Sequence, residues 1–153
     1  MEHIMIISLF MGIDQFIKVI VKHHLEKRKS LSFFNRHLSI SYVENSGGPL
    51  GIFRGKRWFI IGFSLIIMVG LVLLYYQDLN LSNNFLETLG FILIMSGGVS
   101  NLFDRIVYGY VVDYISFKVF KKHSPIFNFA DFMIVTGMIM LITQIFQLLQ
   151  TSF

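Results

Sequence analysis

Four stretches of the chain are dominated by apolar side chains over lengths that suit a helix crossing a bilayer. Residues 4–21 (IMIISLFMGIDQFIKVIV), 58–76 (WFIIGFSLIIMVGLVLLYY), 85–103 and 131–149 each run eighteen or nineteen residues. About 20 are needed to cross about 30 Å of hydrocarbon. The 58–76 stretch is uncharged, with Trp58 and Phe59 at one end and Tyr75 and Tyr76 at the other, as an interfacial aromatic belt requires. The 4–21 stretch is interrupted by Asp14 and Lys18, four apart and so one turn apart on a single helix face, where they could neutralise one another. A cleaved leader peptide fits 4–21 poorly, because no Lys or Arg precedes it and no small-x-small site follows. In 85–103, Glu87 lies near the start, and Ser96, Gly97, Gly98 and Ser100 at the end let another helix or a substrate chain approach closely.

Between these stretches the pattern changes. Residues 22–30 are polar and basic (KHHLEKRKS), and the segment from 31 to 55 alternates loosely and is rich in Ser, Gly and β-branched residues. That composition predicts short strands and a turn at Gly47-Gly48-Pro49, forming a small layer on the membrane surface. Arg54, Lys56 and Arg57 close it and are placed to meet lipid phosphates. The 77–84 loop is short enough to make the next helix an antiparallel neighbour. VVDYISF, around Asp113, is strand-like, and Pro125 biases the chain away from helix before FNFAD. The predicted architecture is therefore an all-α membrane protein, a single integral domain over 1–153. It has four transmembrane helices and a small extramembrane β-cradle between helices 1 and 2.

Composition agrees. Hydrophobic residues make up 54% of the chain and charged ones 14%, where soluble domains carry about 25% charged residues. The net charge of +4 in so apolar a chain points to anionic lipid headgroups rather than nucleic acid. No Cys is present, which excludes disulfides, thiolate zinc sites and a Cys nucleophile. His3, His23, His24, His37 and His123 show no metalloprotease spacing. No G-x-S-x-G elbow and no Gly-rich phosphate loop with Lys occurs. Neither metal nor cofactor is expected.

The remaining polar groups concentrate at residues 97–131: Asn101, Asp104, Arg105, Asp113, Asn128 and Asp131. Charged groups cost free energy near a bilayer, so such a cluster is a functional hypothesis by default. Asn101, Asp104 and Arg105, spaced i, i+3 and i+4, share one helix face, and Asp104 beside Arg105 reads as an ion pair. Asp113 sits between Val112 and Tyr114, and Asp131 opens the last apolar stretch, where an acid also suits a helix start. Asn45, before the Gly pair, suits a turn or a reach to a substrate backbone. Two carboxylates in a poorly hydrated site cannot easily both ionise, so one acts as acid while the other activates water. Asp113 and Asp131 are the candidate pair for amide hydrolysis. On residues alone, a proton-coupled or purely structural membrane protein accounts for the same acids.

Taken in order, D-Q-x-x-K at Asp14–Lys18, N-x-G at Asn45–Gly47, N-L-x-D-R-x-x-x-G-x-V-V-D at Asn101–Asp113 and F-N-x-A-D at Phe127–Asp131 resemble the signal peptidase II family, the bacterial lipoprotein signal peptidases. The resemblance implies a four-helix membrane fold with a β-cradle. It implies hydrolysis of the peptide bond before the lipid-modified Cys of a diacylglyceryl prolipoprotein, by a multi-pass enzyme of the bacterial inner (cytoplasmic) membrane. Prolipoprotein and membrane lipids are then the expected partners, and the working unit a monomer. The family's catalytic pair falls on Asp113 and Asp131. Its supporting residues fall on Asp14, Lys18, Asn45, Asn101, Asp104, Arg105 and Asn128, with Gly47 shaping the turn.

Two stretches depart from the family pattern: Gly48-Pro49-Leu50 replaces the usual A-A-F after N-x-G, and Ser100 replaces a Gly. Charge raises a further question. All 13 Lys and Arg fall on the side of the cluster or in the helices leading to it. The positive-inside bias then places the site toward the cytoplasm, whereas the resemblance implies a site at the outer leaflet and cytoplasmic termini.

Overall fold

Each apolar stretch becomes a helix, and each helix runs past at least one expected end. In the computed structural model, which describes residues 1–27, 29–34, 37–48, 52–77, 84–119 and 122–151, these are α1 (Glu2–His24), α2 (Arg57–Gln77), α3 (Phe85–Val107) and α4 (Phe129–Thr151). The extensions have local causes. The last turn of α1 holds Lys22, His23 and His24, and cations there suit the negative end of the helix dipole. Asn84 caps α3, its side chain accepting from the Leu86 amide at 3.0 Å. α1, α2 and α3 are each long and apolar enough to cross a membrane; the described apolar part of α4, Phe129–Gln144, is shorter.

α3 is the central helix, with α4, α1 and α2 packed around it. The outward faces of α1 and α2, including Leu9, Phe16, Ile66 and Leu74, remain exposed, as lipid-facing side chains must. The α3–α4 contact is nearly backbone to backbone. A Cβ at Gly97 would collide with the Ala130 carbonyl, and one at Gly137 would lie 2.5 Å from the Gly90 oxygen. Gly98 instead faces Met68 of α2. The small residues read in the sequence thus serve two different helix contacts, and the closer one sets α4 against the polar end of α3.

The sheet differs from the expected cradle. Strands β1 (Ser30–Phe33), β2 (Leu38–Asn45), β3 (Val111–Val119) and β4 (Lys122–His123) pair in that order, each antiparallel to the next. Only β1 and β2 lie between the first two helices. β3 follows α3 and takes the free edge of β2, satisfying backbone groups that a two-stranded cradle would leave open. An irregularity between Ile40 and Val43 sets Val43 opposite Asp113, and Asn45 then lies on the same face as Asp113. Val21 of α1 packs with Tyr42, Val112 and Tyr114, fixing the sheet on the end of α1. Gly48 donates to the Ile52 carbonyl at 2.7 Å within the expected turn; Pro49 and Leu50 lie outside the described residues. Arg57, expected at lipid phosphates, caps α3 instead: its Nη2 donates to the Ile106 carbonyl at 2.6 Å.

Candidate active site

The first backbone N–H groups of any helix lack partners within it, and at α4 three other parts of the chain supply them. The Phe129 amide donates to the Tyr114 hydroxyl at 3.1 Å, and the Ala130 amide to Asp14 Oδ1 at 3.0 Å. The Asp131 amide donates to Asn128 Oδ1 at 2.9 Å, while the Asn128 amide returns a bond to Asp131 Oδ2 at 3.2 Å. This is a reciprocal capping box. The helix-start role read for Asp131 is therefore real, but it occupies one oxygen only. Asp131 Oδ1 accepts from Asn101 Nδ2 at 2.8 Å.

Asp113 reaches the same place from β3. Its Oδ1 accepts from Asn128 Nδ2 at 2.8 Å and its Oδ2 from Asn45 Nδ2 at 2.9 Å. Asn128 therefore touches both acids, one through its side chain and the other through its backbone. Asn45 also makes the expected turn, Oδ1 accepting from the Gly47 amide at 3.0 Å, while its amide is given to Asp113. Asp113 is 4% exposed. Burial first, and the neighbouring Asp131 charge second, push its carboxyl up to about 7, against the pull of the Asn45 and Asn128 amides. Asp113 therefore changes charge near neutral pH, and a proton held there is shared in its effects with Asp131. A carboxyl raised in this way favours the fold most at acidic pH, and that contribution is lost as pH rises through about 7.

Lys18 organises the layer beneath. Its Nζ donates to Asp14 Oδ2 at 2.7 Å, Asp104 Oδ2 at 2.8 Å and Asn101 Oδ1 at 3.1 Å. The expected Asp14–Lys18 pair is present but shared. The expected Asp104–Arg105 pair is absent, because adjacent helix positions do not face each other. Asp104 is fully buried toward α1. Arg105 points toward the turn, donating to the Asn101 and Gly47 carbonyls, each at 3.1 Å. The residues singled out in the sequence thus gather in one connected network. Three members were missed: Tyr114, Ser100 and Gln15, whose Nε2 donates to Ser100 Oγ at 2.9 Å and Asp104 Oδ1 at 2.8 Å. Only the D-Q-x-x-K pattern contained a hint of Gln15.

A family model described as signal peptidase (SPase) II matches residues 6–147. The chain belongs to the signal peptidase II family. It is 36% identical over 141 residues to the lipoprotein signal peptidase of Wigglesworthia glossinidia brevipalpis, covering 92% of this chain and 91% of that protein. It is 35% identical over 142 residues to the lipoprotein signal peptidase of Clostridioides difficile strain 630, covering 92% of each. Among solved structures, a bacterial membrane enzyme obtained by the in meso method superimposes with a TM-score of 0.86 at 28% identity, over 95% of this chain and 88% of that one. Signal peptidase II is an aspartic-type membrane peptidase family, and in this member a buried acid, Asp113, and a half-buried one, Asp131, meet on one asparagine at the start of α4.

Proposed function

We propose that this signal peptidase II cleaves diacylglyceryl-modified prolipoproteins before the lipidated Cys, with Asp113 and Asp131 as its acid–base pair. The observation that carries the reading is Asn128, which holds one oxygen of each acid. The charged member takes a proton from a water as that water attacks the scissile carbonyl. The protonated member hydrogen-bonds the developing oxyanion and then delivers its proton to the leaving amine. Asn45, Asn101 and Asn128 fix the carboxylates, which lowers the reorganisation the reaction requires. Arg105 holds the Gly47 turn beside them. The protein works as a monomer in the bacterial cytoplasmic membrane, which all four helices cross, α4 returning from the level at which α3 ends.

Offered side by side, a lipid-modified precursor is cleaved at least about a hundredfold faster than its unmodified twin, because apolar binding energy from the acyl chains is available to the reacting centre. Equal rates would instead favour a different membrane peptide as substrate. The site faces the outer leaflet in this reading, although the Lys and Arg distribution favours the opposite side. Lys29, 69% exposed at its side chain, decides between them, since the chain has no native Cys. A Lys29→Cys protein in intact cells is expected to react with an impermeant thiol reagent. Labelling only after permeabilisation would place the site in the cytoplasm and remove the proposed substrate from its reach.

A further inference from the structure

Ser96 and Ser100 are one turn apart on α3, and both are fully buried. Ser96 does what a helical serine ordinarily does, its Oγ donating to the Ile92 carbonyl one turn back at 2.6 Å. Ser100 does not. Its Oγ donates across to Asp14 Oδ2 on α1 at 2.6 Å and accepts from Gln15 Nε2 at 2.9 Å. The Gln15 amide thus occupies the hydroxyl oxygen and leaves its hydrogen directed at Asp14. The same Asp14 oxygen takes a hydrogen from Lys18, whose ammonium has three to give and uses them on Asp14, Asp104 and Asn101. Of the three, the bond to Asn101 is the longest, at 3.1 Å.

Building on the proposed reaction, we infer that Ser100 is a positioning residue for it: its hydroxyl sets how far Lys18 leans toward Asp14, and through Asn101 this sets the position of Asp131. With the hydroxyl in place, Asp14 has a second donor and Lys18 is free to bond Asn101 Oδ1. Asn101 is then held with its amide toward Asp131, Nδ2 to Oδ1 at 2.8 Å. Without the hydroxyl, Asp14 Oδ2 has Lys18 as its remaining donor and draws the ammonium closer. The bond to Asn101 weakens first. Asn101 Oδ1 then keeps its contact from Asn128, at 3.2 Å, and the amide that Asn101 turns to Asp131 Oδ1 is held less firmly. The effect falls on the chemical step, since Ser100 lies beneath the acids, without exposure, and cannot touch a substrate.

Ser100→Thr and Ser100→Val isolate the hydroxyl, because they add nearly the same bulk and only Thr can donate to Asp14. The expected kcat of the Val protein is about tenfold below that of the Thr protein, the value of one buried charge-assisted hydrogen bond, with KM equal within about twofold. Equal kcat values, or a difference confined to KM, would overturn the role. Should neither larger side chain fold, Ser100→Ala is measured in the unaltered chain and in an Asp14→Asn background. A loss of about tenfold in the first and none in the second supports the relay. The same loss in both, or in neither, overturns it. Absence of cleavage by the unaltered chain would remove the reaction itself, which is a distinct result from cleavage that ignores the hydroxyl.

Discussion

Replacing Asp113 by Asn lowers cleavage of a lipid-modified precursor by about a thousandfold or more, and Asp131→Asn does the same, while both proteins still insert and purify. The magnitude follows from the work assigned to the pair: a well-placed general acid or base contributes about 10²- to 10⁴-fold, and here one member takes the water's proton while the other supplies the proton for the amine. The amide that replaces either carboxylate can neither take a proton from water nor give one to the amine. Because the pair acts as a unit, the double variant is expected to be little worse than either single one. Structure enters in a second way. Asp113 accepts from Asn45 and Asn128, so the amide introduced by Asp113→Asn must turn one N–H toward a facing N–H, and some activity is lost to misplacement as well. Turnover of either variant within about tenfold of the unaltered chain would put the chemistry elsewhere.

The second large effect concerns folding. Lys18→Met removes the one cation bonded to both Asp14 and Asp104, groups that are fully buried. Two carboxylates then share an apolar layer without a counter-charge, and breaking a buried ion pair from one side costs about 3–5 kcal/mol. Against a total stability of about 5–15 kcal/mol, that leaves little fold. The loss also reaches the site, because Asp14 caps α4 at Ala130 and Lys18 orients Asn101. Adding Asp14→Asn and Asp104→Asn to Lys18→Met is expected to restore most of the thermal midpoint in detergent without restoring cleavage. A Lys18→Met protein that melts with the unaltered one would show that the three charges do not form the buried network.

These contacts mark the limit of what could be read from the chain. The apolar runs foretold four helices, three of which are long and apolar enough to cross a membrane, because a membrane imposes one length and one composition on a span. The polar cluster foretold which residues meet, since acids so close to apolar spans need partners. What the sequence concealed is contact between distant elements. β3 joins β2 rather than standing alone, through pairings such as Ser39 with Ser116 that no local pattern encodes. Asp104 looked like a partner for Arg105 because they are neighbours; its actual cation, Lys18, comes from another helix. Ser100 read as one small residue in a packing stripe, and its contacts with Asp14 and Gln15 distinguish it from Ser96. Tyr114 looked like a strand aromatic, yet its hydroxyl caps α4.

The shared proton is most directly observed by carbon-13 NMR of the aspartate carboxyl groups in detergent, titrated from about pH 3 to about pH 10, a range that brackets an ordinary and a raised carboxyl. Asp113 is expected to change charge near 7, and in Asp131→Asn its midpoint is expected to fall, because one of the two causes of the shift has been removed while burial remains. An Asp113 signal that titrates near about 4, like an ordinary carboxyl, or one indifferent to Asp131→Asn, would mean the two acids are not coupled.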